Sequence, residues 1–204
     1  ERLEGGNGDD SVVGFDGNDI LRGGDGFDTV IGGKGNDLAF GDDGDDFLQG
    51  DAGSDDLRGG NGSDTLEGRG DADILRGDDG DDTLLGGGEG DSLVGGEGSD
   101  TASYADSGAV KIDLGAGTAS GDFAEGDRFS SIEGVIGSVF NDTIVGDLGA
   151  NQLSGNDGDD QVFGDSRGSL ADDTQAGGDV VDGAASTGPA GAGGADGRRA
   201  GEER

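Results

Sequence analysis

The 204-residue chain contains no cysteine, histidine, methionine or tryptophan, and a single proline and a single tyrosine. Without cysteine there are no disulfides and no thiolate metal sites. Without histidine, imidazole-based zinc sites, an imidazole general base and any Ser-His-Asp triad are excluded together. Basic residues are also scarce: 12 Lys and Arg stand against 47 Asp and Glu, a net charge of -35. Phosphate binding needs clustered cations, so nucleic acid is excluded as a partner and a cationic one is indicated. No apolar run approaches the roughly 18 residues of a membrane-spanning helix. The opening ERLEGGNG is no signal peptide and reads as the interior of a longer protein.

Glycine is abundant, with 51 residues, while only 29% of the chain is apolar. Low hydrophobicity with high net charge marks disorder unless the residues keep a register. From Gly5 to Ser103 they do, in eleven nonads without insertion or deletion: GGNGDDSVV, GFDGNDILR, GGDGFDTVI, GGKGNDLAF, GDDGDDFLQ, GDAGSDDLR, GGNGSDTLE, GRGDADILR, GDDGDDTLL, GGGEGDSLV and GGEGSDTAS. Position 1 is always Gly and position 8 always aliphatic or Ala. Position 6 is always Asp: Asp10, Asp19, Asp28, Asp37, Asp46, Asp55, Asp64, Asp73, Asp82, Asp91 and Asp100. Chance alignment of these aspartates is on the order of one in 10⁸, which rejects unpatterned disorder for this block. Position 4 is Gly except at Asp71 and Glu89.

Positions 1 to 6 carry turn formers and positions 7 to 9 carry strand formers, so each nonad predicts a turn followed by a short strand. Such a strand cannot bury an apolar face alone, but stacked copies can. The pattern predicts an all-β parallel roll with two nonads per coil and the position-8 residues inward. Equivalent turns then lie one strand spacing apart, about 4.8 Å, which sets Asp10 beside Asp28 and Asp19 beside Asp37. Carboxylates that close repel unless a cation lies between them. Asp side chains with turn carbonyls suit calcium, a hard ion taking six or more oxygens, better than magnesium.

Stretches such as GGNGDDSVV, GGDGFDTVI and GGNGSDTLE resemble the GGxGxDxUx nonapeptide of the RTX, or haemolysin-type, calcium-binding repeats. The resemblance covers residues 5 to 103 and returns at GSVFNDTIV, GDLGANQLS and GNDGDDQVF, residues 137 to 163, where Asp142 and Asp160 hold position 6 and Asn151 replaces the middle aspartate. It implies a right-handed parallel β-roll with calcium between turns i and i+2, up to about nine ions in the main roll. It also implies export through the bacterial type I secretion apparatus, an extracellular location and a C-terminal place in a larger secreted protein. A second function class, a polysaccharide- or cell-surface-binding module like those of adhesins and epimerases, would need a recognition ladder on the roll's faces. The outward residues at positions 7 and 9 are mixed, with no repeated ladder, which favours a calcium-dependent folding switch.

The remainder divides into a non-repeat β spacer or cap at 104–136, with Val110, Ile112 and Leu114 alternating as in a strand, the three nonads at 137–163, a degenerate repeat at 164–183 and a disordered tail at 184–204. The spacer is expected to form longer strands that extend or cover the roll. The tail lacks the apolar residues expected of a secretion signal in this family. Gly164 to Gly168 matches G-x-S-x-G, but a nucleophile elbow needs a histidine. No catalytic equipment is present, so the chain is read as non-enzymatic. Arg69-Gly70-Asp71 matches an adhesion tripeptide, yet it falls at positions 2 to 4 of the eighth nonad. Asp71 stands where nine turns have Gly, which predicts a strained backbone and the weakest site of the nine, at Asp73 and Asp91.

Overall fold

The computed structural model describes residues 1–164 and the backbone of residues 180–182; the tail at 184–204 and most of the degenerate repeat lie outside the described residues. The repeat block forms β1 (Arg2–Asn7), β2 (Ser11–Asp16), β3 (Ile20–Asp25), β4 (Thr29–Lys34), β5 (Leu38–Asp43), β6 (Phe47–Ala52), β7 (Asp56–Asn61), β8 (Thr65–Gly70), β9 (Ile74–Asp79), β10 (Thr83–Gly87), β11 (Ser92–Glu97) and β12 (Thr101–Ser103). Pairing is parallel at a separation of eighteen residues, with Arg2 opposite Ile20, Ser11 opposite Thr29 and Leu38 opposite Asp56. Odd-numbered strands build one sheet and even-numbered strands the other, so two nonads make one coil.

Position 8 supplies the core. Val12, Leu21, Val30, Ala39, Leu48, Leu57, Leu66, Leu75, Leu84, Leu93 and Ala102 are all buried, one per strand, because alternation along a strand sends every second side chain to the same face. The strands are longer than the expected three residues. Most run through positions 7 to 9 and on into positions 1 to 3, since the Gly-rich segments also pair from coil to coil, as Gly6 with Gly24 and Asn7 with Asp25. Only positions 4 to 6 remain as turn.

Segment 104–136 departs from the expectation of longer strands, although part of it does extend the roll. Its elements are three residues each: β13 (Lys111–Asp113), β14 (Thr118–Ser120), β15 (Arg128–Ser130) and β16 (Gly134–Ile136), with a 3-10 turn at Asp122–Ala124. They are followed by β17 (Thr143–Val145), β18 (Gln152–Ser154), β19 (Gln161–Phe163) and β20 (Val180–Asp182). Here β15 pairs with β11 and β16 with β12, both parallel, so residues 127–136 continue the roll. The antiparallel hairpin β13–β14 is inserted edgewise between β15 and β17. The odd-strand sheet therefore has 11 strands and the other 9. Val110, Ile112, Ile132 and Val135 extend the buried core through this junction.

Candidate metal centre

Each position-6 aspartate begins with its backbone N–H. In all nine pairs eighteen residues apart, from Asp10 with Asp28 to Asp82 with Asp100, the earlier N–H donates to Oδ1 of the later residue at 2.7 to 2.9 Å. The aspartates thus form two columns along the roll, one on each edge. Asp19 through Asp100 are buried, while Asp10, at the open end, is half-buried.

The second carboxylate oxygen is treated differently. Oδ2 of Asp19, Asp28, Asp37, Asp46, Asp55, Asp64, Asp73, Asp82, Asp91 and Asp100 is buried without a hydrogen-bond donor. An uncompensated buried polar atom costs about 1–3 kcal/mol, more when charged. Ten in succession are a requirement for something positive. Asp160 carries the same orphaned oxygen.

The glycines show what else faces that atom. At position 1 a side chain is excluded by contact: a Cβ on Gly14 would stand 2.8 Å from Asp19 Oδ2 and 2.6 Å from the carbonyl oxygen of Gly32, one coil on. The same pairing of orphaned carboxylate oxygen and next-coil carbonyl recurs at Gly32, Gly41, Gly50, Gly59 and Gly68. At position 4 the constraint is the dihedral, with glycine φ values between 98° and 139°, outside the left-handed region other residues reach. No hydrogen bond ends on a position-4 carbonyl in the repeat block among the described residues. Carboxylate oxygens and free carbonyls are a hard donor set without nitrogen or sulfur, the chemistry of calcium. Among the described residues no three acidic side chains converge on one point, so carbonyls must complete any ion's shell.

Electrostatics point the same way. Burial, opposed by the N–H bond and reinforced by the neighbouring carboxylate of the column, pushes Asp46, Asp55 and Asp82 up to about 6, Asp64 and Asp91 to about 7 and Asp73 to about 8. A cation between the turns would relieve the burial cost and the repulsion together.

The second block is built otherwise. Asp142 Oδ1 accepts from the Val110 N–H and its Oδ2 from the Ser138 N–H at 2.6 Å, with the Ser138 hydroxyl bonded to both. Asn151 Oδ1 accepts from Asp147 N–H. Asp160 Oδ1 accepts from Asp142 N–H at 2.9 Å.

Two acidic residues that periodicity does not find also join the columns. Asp91 N–H donates to Asp127 Oδ1 at 2.8 Å, and Asp100 N–H to Glu133 Oε2 at 3.0 Å. Asp127 Oδ2 is not orphaned: the Tyr104 hydroxyl donates to it at 2.6 Å. Only the trailing strands, Asp-Arg-Phe-Ser and Glu-Gly-Val-Ile, carry a trace of positions 6 to 9.

The flaw at the eighth nonad is visible in the backbone. Asp71 and Glu89 take φ values of 67° and 72°. Elsewhere the position-4 N–H donates to the position-3 carbonyl one coil on, as Gly44 to Asn61 and Gly62 to Asp79 at 2.8 Å. Gly53 N–H instead donates to Asp71 Oδ2 at 3.2 Å, and Gly88 N–H to Arg69 O. Arg69 is ion-paired with Asp51 and Glu67, so the adhesion-like tripeptide is bonded into the ladder.

No curated protein matches the chain. A family model described as the RTX calcium-binding nonapeptide repeat matches in four copies, at residues 1–30, 31–66, 67–102 and 136–166. These copies span most of the chain and contain every position-6 aspartate but not residues 103–135, and the chain belongs to the family of RTX calcium-binding repeat proteins.

Proposed function

We propose that the chain is a calcium-triggered folding module of a secreted bacterial protein, disordered where calcium is scarce and ordered outside the cell, with type I export and with any catalytic activity residing in another part of that protein. The row of ten buried carboxylate oxygens without donors carries this reading. At a net charge of -35, the roll without cations combines column repulsion with thin apolar burial, and uptake of divalent ions by the folded state stabilises it by mass action. Affinities in the roughly 10⁻⁴ to 10⁻³ M range of extracellular modules would hold it unfolded in a cytosol and folded outside. Calcium titration followed by far-UV circular dichroism tests this: cooperative gain of β signal between roughly 0.1 and 1 mM is expected. A spectrum indifferent to calcium and to chelator refutes it.

One observation favours a second reading, a module whose face binds a polysaccharide. Position 9 of β3, β5, β7 and β9 places Arg22, Phe40, Arg58 and Arg76 in one row. The guanidiniums of Arg22 and Arg58 lie 4.3 and 5.5 Å from the Phe40 ring. This is a local ladder at position 9, where the sequence pattern predicts none. Retention on an immobilised polysaccharide in saturating calcium, lost in Phe40→Ala, would support it.

A further inference from the structure

The even-strand column does not end with the last nonad. Between β15 and β16 the chain turns in three residues, 131–133, where a regular nonad uses six, such as 95–100 between positions 9 and 7 of β11 and β12. The turn is nevertheless tied in as its predecessors are. Asp100 N–H donates to Glu133 Oε2 at 3.0 Å, as Asp82 N–H donates to Asp100 Oδ1. Glu133 and Gly134 N–H both return to the Asp100 carbonyl, at 3.0 and 2.7 Å. Glutamate's extra methylene restores the reach that the shortened turn takes away.

The oxygen geometry of the repeats is reproduced there too. Asp100 is fully buried and its Oδ2 has no donor. A Cβ on Gly95 would collide with Asp100 Oδ2 and with the carbonyl oxygen of Ser131 together, as one on Gly14 meets Asp19 Oδ2 and Gly32 O. Ser131 holds a φ of 51°, a left-handed conformation that costs a non-glycine residue energy. The opposite column ends differently, since Tyr104 supplies Asp127 Oδ2 with a proton donor. Nothing supplies Asp100 Oδ2 with one.

We propose that Asp100, the last aspartate of the repeat block, forms a calcium site with the Ser131 carbonyl and Glu133, which lie outside the nonapeptide repeats, and that this site couples the ordering of segment 127–136, and the second repeat block behind it, to the first block. Two carboxylates and a carbonyl are hard oxygen donors, and water can fill the remaining positions of a calcium shell. The site makes the junction a calcium-dependent joint rather than a passive spacer. It rests on calcium uptake by the roll as a whole, and the experiment separates the two.

Calcium binding by the full chain is measured by equilibrium dialysis, with far-UV circular dichroism at saturating calcium, for the wild type, Glu133→Gln and Glu97→Gln. The glutamine at 133 keeps an oxygen for the Asp100 N–H but loses the charge, so an unchanged spectrum is expected with one ion lost or weakened at least tenfold. Glu97, exposed on the same coil, should leave the isotherm unchanged. Identical isotherms for wild type and Glu133→Gln overturn the proposal while leaving the folding switch intact; absence of calcium uptake by the wild type overturns both. A second measurement needs no variant: in wild-type hydrogen exchange, the amides of residues 131–134 should gain protection at the same calcium concentration as those of residues 99–101. Protection of 131–134 that is complete in chelator, or that arises in a separate step, also overturns it.

Discussion

Replacing Asp71 with glycine should raise apparent calcium affinity, and the structure gives the size of the effect. The position-4 backbone at residue 71 holds a φ of 67° where regular turns reach 98° to 139°. Releasing a non-glycine residue from positive φ is worth about 1 kcal/mol. Glycine also allows the Gly53 N–H to return to the carbonyl of residue 70, a backbone bond worth about 1 kcal/mol, in exchange for the long bond it now makes to the Asp71 carboxylate. These two nearly cancel. The change also removes a carboxylate that raises the proton affinity of both Asp55 and Asp73, which eases proton competition but gives up attraction for the cation, so the charge adds no net gain. The net gain is about 1 kcal/mol for the folded, loaded roll, a factor of about 5 for the affected site. Because folding is cooperative, the midpoint of a circular-dichroism titration should move to lower calcium by a smaller factor, and isothermal calorimetry should show the weakest class of sites tightening. Asp71→Asn separates strain from charge, since it keeps the φ and loses the carboxylate, and should recover less of the gain. Unchanged or weaker binding by Asp71→Gly would refute the argument that this turn is the flaw in the ladder.

Three further outcomes are expected. The buried aspartates have folded-state pKa values raised to between about 6 and 8, against about 3.9 when unfolded. From about pH 4 to 8 the folded calcium-free roll therefore binds more protons than the coil, and its stability falls as pH rises; in chelator, acidification from pH 8 to about 5 should induce β signal, and a coil spectrum throughout would contradict this. Tyr104→Phe removes the donor to Asp127 Oδ2 and should cost about 1–3 kcal/mol, read as a lower denaturant midpoint at fixed calcium. Gly59→Ala keeps a permitted backbone angle but drives a Cβ into Asp64 Oδ2 and to 2.7 Å from the Gly77 carbonyl, so calorimetry should show at least one site lost; full stoichiometry would show that position 1 is glycine for another reason.

Much of the architecture was legible in the sequence because the roll's contacts repeat at fixed separations. A nonad presents Asp at position 6 and an aliphatic residue at position 8, and both roles depend only on neighbours eighteen residues away, which have the same identity. The exceptions at Asp71 and Glu89 were legible for the same reason: a departure from a strict period marks a strained turn. What failed was the division of the nonad into turn and strand halves. Glycines at positions 1 to 3 belong to strands, because in a stacked roll even weak strand formers are paired on both sides.

The tertiary structure alone decided the rest. Position 1 is glycine through contact with a carboxylate and a next-coil carbonyl, not through its dihedrals, which no single nonad can reveal. The β13–β14 hairpin breaks the period, so Asp127 and Glu133 meet their partners at separations of 36 and 33 residues. The sequence determined by itself a parallel roll with oxygen-rich turns, since periodic chemistry implies periodic neighbours. Where an insertion intervenes, neighbours are set by which edges pair. Only the folded chain shows that one column closes on a tyrosine hydroxyl and the other runs on to a glutamate.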